Sequence, residues 1–308
     1  MLNFTLKQLR YIDSAERLGS ITHAAKEQNI SQSSIAAAID SMESELGYSL
    51  FIRTPAKGLQ TTPSGLETLQ LIRSFIDQSQ HFEGEIKSVG GEVTGSLRIG
   101  CYATAAPAFL PPVLKSFTEK YPNISITLLE GNMETITGFL DNGDADLIFT
   151  FDQTITKHQT FLTLFKAPPY VLLSVDDPLV KQGTVSLTQI YKNPMVMLDL
   201  PLAKAYYSGL FHLLDLQPNI AHTTRSAEIA RALVAGGFGY SILNIRPVDY
   251  EIGKSGYVIL PISDNLQVQN FGLSTLSTVY RPKIVQAFID HCSMLRDSGV
   301  FSKLIVEV

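Results

Sequence analysis

The chain has no tryptophan, and it has only two cysteines, Cys101 and Cys292, in 308 residues. The two thiols are far apart and match neither a metal-binding nor a redox spacing, as is typical of a protein from a reducing compartment. No apolar run approaches the roughly 20 residues that a membrane helix needs. The N-terminus, MLNFTLKQLRYIDSAE, carries charges in its first turns and lacks the apolar core of a signal peptide. We therefore expect a cytoplasmic protein with no membrane partner.

Sequence motifs of enzymes and cofactor sites are also missing. The chain has no GxSxG nucleophile elbow and no P-loop, and its six histidines form no i, i+4 pair that would hold a metal. The glycine-rich stretch 236–240 follows a predicted helix and precedes a strand, the reverse of a dinucleotide-binding motif. With 45% hydrophobic and 17% charged residues, the composition is that of a globular protein long enough for two or three domains. We expect no enzymatic activity, no cofactor and no metal.

An excess of positive charge is missing too, because the net charge is −5. Residues 1–62 hold equal numbers of basic and acidic side chains, which are Lys7, Arg10, Arg17, Lys26, Arg53 and Lys57 against Asp13, Glu16, Glu27, Asp40, Glu43 and Glu45. Any contact of this region with nucleic acid must therefore depend on where the charges lie.

Residues 6–46 predict three short helices. The first ends at Gly19, the second begins after Ser20 and ends near Asn29, and the third begins after Ser31 and ends at Gly47. The third helix has an apolar stripe, formed by Ile35, Ile39, Met42 and Leu46.

The opposite edge of the third helix is expected to expose small and amide side chains, namely Gln32, Ser33, Ser34, Ala37 and Ala38. Small side chains let a helix enter the major groove of DNA, where amide and hydroxyl groups reach the base edges. The N–H groups at the start of the helix would face phosphate.

A small hairpin is predicted after the third helix. Residues 51–54 and 59–61 pair across 55–58, and Arg53 and Lys57 are its candidates for phosphate or minor-groove contacts. Three helices followed by such a hairpin are typical of a winged helix-turn-helix, which places one helix in the major groove. From these residues alone, a three-helix packing unit without a DNA contact remains an alternative.

Residues 6–65 resemble the N-terminal domain of LysR-type transcriptional regulators. The segments that carry the resemblance are LKQLRY at 6–11, GSITHAA at 19–25, SQSSI at 31–35, LGYSLFIR at 46–53 and TPSG at 62–65. The resemblance implies that Gln32, Ser33 and Ser34 begin the recognition helix and that Arg53 lies in the wing.

The chain departs from many relatives within the recognition helix. Where they carry a Ser-Arg pair and a further basic residue, this chain has Ala36-Ala37 and Asp40. We therefore expect weaker nonspecific DNA binding, or more reliance on the wing and on Lys26. The predicted DNA-binding residues are Gln32, Ser33, Ser34, Ala37, Arg53, Lys57 and Lys26.

A single long helix is predicted over residues 63–88, before the glycine-rich break at 90–95. Its apolar residues recur every three or four positions, at Leu66, Leu69, Ile72, Ile76, Phe82 and Ile86. That spacing resembles a coiled-coil seam and favours a dimerisation helix over a helix packed on its own domain. The family resemblance implies the same and makes tetramers common.

From Ser96 onward, predicted strands and helices alternate, which indicates parallel sheets covered by helices and room for two lobes. The segments LRIGCYATAAPAFLPPVLKSFTEKYPNISITLLEG and FLDNGDADLIF resemble the effector domain of the same regulators, which has the two-lobed fold of periplasmic binding proteins. The predicted fold class is therefore α/β. The predicted domains are a winged helix-turn-helix at 1–62, a linker helix at 63–91 and an effector domain at 92–308. Lobe I would hold about 92–165 and 268–308, and lobe II about 166–267.

In such lobes, ligands bind beyond the C-terminal ends of strands. This rule selects Tyr102, Ala103 and Thr104 after the first strand, where Thr104 caps the next helix and its neighbouring N–H groups hold an anion. A cap with no ligand is the alternative. The same rule selects Phe151, Asp152, Leu200 and Pro201 as neighbours of the cleft, and Asn244 and Arg246 follow another strand toward it.

The second lobe offers Thr223, Thr224 and Arg225 before its helix, and Arg225 is expected to clamp a carboxylate. The alternative is that Arg225 is solvated or pairs with Glu228. We therefore expect a small organic effector, a carboxylate, between the lobes. A peroxide-sensing branch of the family uses a closely spaced cysteine pair, which Cys101 and Cys292 do not match.

These features predict a ligand-responsive, sequence-specific transcriptional regulator. Its partners would be a duplex operator with an interrupted inverted repeat, a small effector, and a second copy of the chain. Effector binding would change the geometry of the oligomer on DNA. The alternative is a two-lobed small-molecule-binding or transferase domain whose helical module serves only assembly. That alternative does not account for an exposed Gln-Ser-Ser face beside an arginine-bearing wing.

Overall fold

The computed structural model describes residues 4–54, 58–87, 93–248, 250–251, 254–277 and 281–307. The chain divides into two compact units, Met1–Ser96 with Asn142–Asp144 and Leu97–Asp141 with Ala145–Val308. The elements of the first unit are α1 (Leu6–Arg17), α2 (Ile21–Glu27), α3 (Gln32–Leu46), β1 (Phe51–Thr54), β2 (Gly58–Thr61) and α4 (Pro63–Lys87).

Capping residues explain where the first three helices begin. Thr5, Ser20 and Ser31 each accept a hydrogen bond from the third N–H of the helix that follows. The predicted helix starts at Ser20 and Ser31 are confirmed, and Gly47 ends α3 in the left-handed conformation. The turn between α2 and α3 is tight because Asn29 has φ 52°.

The hairpin β1–β2 is antiparallel, with Arg53 opposite Leu59. It is fixed against α3, because Oε1 of Glu43 accepts hydrogen bonds from the N–H groups of Leu50 at 2.7 Å and Phe51 at 3.0 Å. It is also fixed against the end of α1, where the Leu59 N–H donates to the Gly19 carbonyl at 2.9 Å.

The long helix α4 packs on its own domain, which corrects part of the sequence interpretation. Leu69, Ile72 and Ile76 are 0%, 6% and 7% exposed and belong to the core that α1, α2 and α3 share. Arg73 of α4 reinforces this packing, since it pairs with Asp13 and Glu16 of α1. Half of the predicted seam is therefore intramolecular core.

A different face of α4 is left without cover in the described chain. Leu71, Phe75, Phe82 and Ile86 are 73%, 54%, 67% and 56% exposed. At 100° per residue these four side chains lie within roughly 60° of one another, about 100° around the helix from Leu69, Ile72 and Ile76. Leu66, the first residue of the predicted seam, is also exposed.

The second unit contains two lobes, each built on a twisted sheet. Lobe I has the strand order β4-β3-β5-β12-β6. Its elements are β3 (Gly95–Tyr102), α5 (Ala106–Lys120), β4 (Ile124–Gly131), α6 (Met133–Asp141), β5 (Leu147–Phe151), β6 (Gln159–Ala167), β12 (Gln269–Leu276) and α10 (Lys283–Asp297).

Lobe II joins the strands β10-β7-β11 to the pair β8-β9 through a parallel bridge between Met195 and Tyr240. Its elements are β7 (Tyr170–Ser174), α7 (Leu187–Ile190), β8 (Met195–Leu198), α8 (Pro201–His212), β9 (Ile220–Thr224), α9 (Ala227–Ala235), β10 (Ser241–Leu243) and β11 (Tyr257–Pro261). The chain crosses between the lobes at 168–169 and again at 262–268.

The expectation of parallel sheets is wrong for four of the six described strand pairings in this unit. β3 pairs with β5 and β8 with β9 in parallel, but β12 is antiparallel to β5 and β6, and β7 is antiparallel to β10 and β11. Strand β12 belongs to lobe I although it follows all the strands of lobe II in the sequence. The order of helices and strands along the chain does not predict which distant strands pair.

Helix α5 continues through Pro111 and Pro112. Each proline removes one backbone hydrogen bond, but Phe109, Leu110 and Val113 around them are buried in the lobe I core. Helix α8 begins at Pro201, since a proline fits the first turn of a helix, where a missing N–H costs nothing.

Within the described residues, none of the helices is long and apolar enough to cross a membrane. In the same part of the chain, no group of three or more His, Cys, Asp or Glu side chains is placed to hold a metal ion.

Candidate functional site

The N-terminus of α3 presents polar side chains on an exposed edge. Gln32, Ser33 and Ser34 are all exposed. The Ser31 hydroxyl lies 2.8 Å from the hydroxyls of both Ser33 and Ser34, and it accepts from the Ser34 N–H at 3.2 Å. Serine hydroxyls at this end are therefore oriented by the cap, next to backbone donors and the positive end of the helix dipole.

The exposed edge of α3 is narrower than expected. Ala37 is exposed as predicted, but Ala38 is 4% exposed and belongs to the core. Ala38 lies three residues after Ile35 and four before Met42, so it shares the buried face of α3. Lys26 is exposed on α2, near the turn into α3.

Two ion pairs fix the basic side chains of this unit. Arg53 of β1 donates through Nη2 to Oδ1 of Asp40 on α3, and both side chains are about half exposed. Arg17 of α1 pairs with Glu27 of α2 at 2.5 Å, and the Ser14 hydroxyl donates to the same carboxylate. The predicted residue Lys57 lies outside the described residues.

The Arg17 hydrogen bond is the main reason why the pKa of Glu27 is lowered, and the Ser14 hydrogen bond adds to the effect. The helix-turn-helix is thus braced by a charged contact between its first two helices.

A narrow pocket of about 10 Å³ lies between the two lobes of the second unit. It sits at the C-terminal ends of β3, β5 and β10, where the strand rule places ligands. The residues that line it are Tyr102, Thr104, Ala105 and Phe151 from lobe I and Tyr207, Arg231, Leu243, Asn244 and Ile245 from lobe II. A second, smaller depression, also between the lobes, includes Leu200 and Pro201.

The pocket brings together three of the predicted effector residues, Tyr102, Thr104 and Phe151. The Tyr102 and Phe151 rings meet edge to face with centroids 5.9 Å apart. Burial raises the pKa of the Tyr102 phenol, although a hydrogen bond with Thr104 acts in the opposite direction. Ala103 is exposed and does not line the pocket, and its N–H is already bonded to the Gly131 carbonyl at 3.0 Å.

Thr104 does not cap α5, which corrects the role predicted for it. The N-cap residue is Ala105, and it makes no side-chain cap hydrogen bond. The Ala105 N–H donates to the Tyr102 carbonyl at 2.9 Å and the Ala108 N–H to the Ala105 carbonyl at 3.0 Å. Pro107 has no N–H. The start of α5 therefore offers an anion fewer backbone donors than an ordinary helix N-terminus.

The predicted clamp in lobe II is wrong. Thr223 and Arg225 are exposed, and none of Thr223, Thr224 and Arg225 lines the interlobe pocket. Thr224 instead accepts a hydrogen bond from the Ser226 N–H at 3.2 Å.

The arginine of the pocket is Arg231, one and a half turns into α9. It lies on the buried stripe of that helix with Ala227, Ala230 and Val234. Its Nη1 donates to Glu228, the acid that the sequence offers only as an alternative partner of Arg225. The signal that would have found it is a charged residue in an apolar helical stripe.

Asn244, expected near the cleft, lies at the centre of a hydrogen-bond network in the pocket wall. It accepts from the Tyr207 hydroxyl at 2.8 Å and donates to the Ala167 carbonyl at 2.7 Å. Burial raises the pKa of Tyr207 well above its usual value, so its hydroxyl stays protonated and remains a donor.

Two family patterns match the sequence. The pattern described as "Bacterial regulatory helix-turn-helix protein, lysR family" matches residues 6–66, and the "LysR substrate binding domain" matches residues 90–295. The two matches span most of the chain, one in each compact unit.

Curated relatives match over nearly their whole length. The transcriptional regulator BsdA of Bacillus subtilis is 26% identical over 290 residues, which cover 92% of this chain and 99% of BsdA. The transcriptional activator CmpR of Synechocystis is 28% identical over 301 residues, which cover 94% of this chain and 95% of CmpR.

Solved structures share the fold. A putative LysR family regulator from Pseudomonas aeruginosa is 27% identical with a TM-score of 0.61, and the alignment covers 96% of this chain and 99% of that one. CbnR in complex with its target DNA has a TM-score of 0.71 at 18% identity, covering 94% and 99% of the two chains. These relatives are transcriptional regulators, which is not what a transferase with an assembly module would match.

Proposed function

Because the chain belongs to the LysR family of DNA-binding transcriptional regulators, we propose that it binds an interrupted inverted repeat of duplex DNA as a homodimer. Gln32, Ser33 and Ser34 would contact base edges from the start of α3. The observation that carries this proposal is the exposure of these three side chains at a helix N-terminus beside an arginine-bearing wing.

The remaining contacts would go mostly to the sugar-phosphate backbone. Lys26 and Arg53 are exposed cations on either side of α3, and Lys57 would extend the wing. The uncharged methyl group of Ala37 would pack against the major groove of the DNA. Because backbone contacts fix register and base contacts give sequence preference, these two groups of residues have different expected effects on DNA binding.

Dimerisation would use the exposed apolar face of α4, formed by Leu71, Phe75, Phe82 and Ile86. Four large apolar side chains more than half exposed on one helix face are costly in water and suit a second copy of the same helix. Two copies related by a twofold axis would present their α3 helices to two successive major grooves, roughly 34 Å apart.

The effector would be a small organic anion, a carboxylate, bound in the interlobe pocket. Tyr102, Phe151 and Tyr207 supply apolar walls, and the Thr104 hydroxyl supplies a polar group. Effector binding would change the relative position of the two lobes and thereby the geometry of the dimer on DNA.

Binding-site selection from random duplexes would supply the operator for the DNA test. The Gln32→Ala variant should lose preference at particular base pairs, at a cost of about 1–3 kcal/mol, whereas Arg53→Ala should weaken binding to all sequences alike. Equal affinity of the wild type for selected and random DNA at physiological salt would count against the proposal.

The effector test is a thermal-shift screen of the full chain against small organic acids. A specific ligand at 100 times its Kd should add about 2.7 kcal/mol to the free energy of unfolding. Thr104→Val keeps the side-chain shape and removes the hydroxyl. It should abolish the ligand-dependent change in DNA footprint and leave DNA binding intact. An unchanged dose response in this variant would remove Thr104 from the site.

A further inference from the structure

We infer that Arg231 is the residue that recognises the anion in the interlobe pocket, and that Glu228 is a built-in counter-ion with which a ligand carboxylate competes. This inference rests on the proposed function of the pocket and names the chemistry that selects its ligand.

Arg231 is the single charged residue among the nine that line the pocket. Its side chain is 8% exposed, and its Nε–H has no hydrogen-bond partner within the described part of the chain. A guanidinium carries five N–H donors, and a buried donor without an acceptor is costly. An acceptor supplied from within the pocket would remove that cost.

The ion pair that Arg231 makes is unevenly solvated. Nη1 donates to Glu228 one helical turn earlier, but the Glu228 side chain is 74% exposed. A carboxylate in water neutralises a buried cation poorly, because solvent screens the pair and competes for its hydrogen bonds. The Nε–H makes no hydrogen bond within the described residues and is available for a second carboxylate, since a guanidinium binds carboxylate through two adjacent N–H groups.

Among the described residues that line the pocket, Arg231 is the one cation. Burial raises the pKa of Tyr170, while the charge of Arg231 and a hydrogen bond with it act in the opposite direction, so the guanidinium also reaches the Tyr170 phenol. The start of α5, facing from lobe I, has its Ala105 and Ala108 N–H groups engaged. Selection for negative charge therefore depends on one side chain.

One guanidinium and a compact apolar enclosure define the ligand class. Tyr102, Phe151, Tyr207, Leu243 and Ile245 would surround the body of the ligand. The pocket holds only about 10 Å³, far below the usual range for drug-sized ligands, about 300–1,000 Å³, so the lobes must move apart to admit a ligand, and a compact ligand needs the smallest movement. The expected ligand is a compact monocarboxylate with a flat or branched apolar body.

The test uses the full chain and isosteric pairs of probes, namely acetate with acetamide, isobutyrate with isobutyramide, and benzoate with benzamide. Inorganic sulfate tests for an anion without an apolar body. Binding is measured by calorimetry and thermal shift. For the wild type, at least one acid should bind roughly tenfold or more tightly than its neutral amide, and more tightly than sulfate.

Three variants separate Arg231 from the rest of the pocket. Arg231→Gln should lose the preference for acid over amide, whereas Arg225→Gln, the same substitution at an exposed site outside the pocket, should keep it. Glu228→Gln removes only the competing carboxylate and should tighten acid binding by roughly two- to fivefold. Because Glu228 is mostly exposed, its variant should fold even if Arg231→Gln does not.

Each outcome separates this inference from the proposed function. If an acid binds and Arg231→Gln keeps the full preference for it, or if Glu228→Gln weakens binding, Arg231 is not the anion-binding residue and the effector site stands without it. If no acid is preferred over its amide by the wild type, the carboxylate class fails and this inference fails with it. Operator binding by every variant, measured in parallel, reports on the integrity of the DNA-binding unit.

Discussion

Arg53 of the wing and Asp40 of the recognition helix form an ion pair across the exposed surface of the DNA-binding unit. Asp40 occupies one of the positions where the sequence departs from the basic pattern of many relatives. The pair joins the residue expected to contact phosphate to an acid that competes with phosphate for it. An exposed pair of this kind contributes about 0–1 kcal/mol to stability, so its main consequence is for DNA binding.

Asp40→Asn should raise the affinity for every duplex sequence, because it frees the Arg53 guanidinium and removes a negative charge beside the DNA backbone. The magnitude of the slope of log K against log salt should grow by about 1, the contribution of one additional phosphate contact. The measurement is a salt titration on both selected and random duplexes.

Glu119→Gln is the control for net charge, because it removes one exposed acid from α5 in the second unit. It should leave the salt slope unchanged. A slope for Asp40→Asn equal to that of the wild type would mean that Arg53 already contacts phosphate despite its partner.

The two faces of α4 lead to opposite expectations. Replacing Leu71 and Phe75 together with Glu should give a monomer in sedimentation, with a wild-type unfolding temperature or higher, because both side chains are more than half exposed within one chain. Operator affinity should fall, since a single half-site contact replaces two.

Ile76→Ala is the matched substitution on the buried face. It should reduce the free energy of unfolding by about 2–5 kcal/mol, as expected for truncating a buried isoleucine, and leave the dimer mass unchanged in the folded protein. If the variant with both Leu71 and Phe75 replaced by Glu remained a dimer, the dimer interface would lie on another surface of the protein.

The sequence predicts the structure best where a few neighbouring residues determine it. Ser20, Ser31 and Gly47 bound their helices as predicted, because capping depends on one side chain and its neighbours. It failed for β12, whose partners β5 and β6 lie more than 100 residues earlier in the chain. It also failed for Ile72 and Ile76, because a heptad-like spacing does not tell whether the covering surface is intramolecular.

The interlobe pocket shows the same limit. Tyr102, Thr104 and Phe151 follow their strands directly, so the strand rule located them. Arg231 lies inside a helix, so a rule that selects residues directly after strands does not identify it. Arg225 occupies the position that the rule favours, but β9 directs it to solvent.

The two cysteines should be unreactive in the folded protein. Burial raises the pKa of both Cys101 and Cys292 to about 12, so only a minute fraction is thiolate at pH 8, and thiolate is the reactive form. Maleimide labelling followed by mass spectrometry should give little modification up to pH 9 without denaturant and complete modification in urea. Labelling of the folded chain at the rate of a free thiol would contradict the burial of that cysteine.

Acid should loosen the contact between α1 and α2 through Glu27. The Arg17 hydrogen bond holds the pKa of Glu27 below its unfolded value, which is about 4.3. A carboxyl with a depressed folded pKa contributes stability above the unfolded pKa, and the contribution is lost as the pH falls through the folded pKa. Hydrogen–deuterium exchange of α1 and α2 peptides should therefore be faster in Glu27→Gln than in the wild type at pH 5. The difference should shrink as the pH falls further, through the folded pKa of Glu27, until the wild-type carboxyl is also protonated. A difference that stayed constant over the whole acid range in which both proteins remain folded would show that the Glu27 charge does not stabilise the helix-turn-helix.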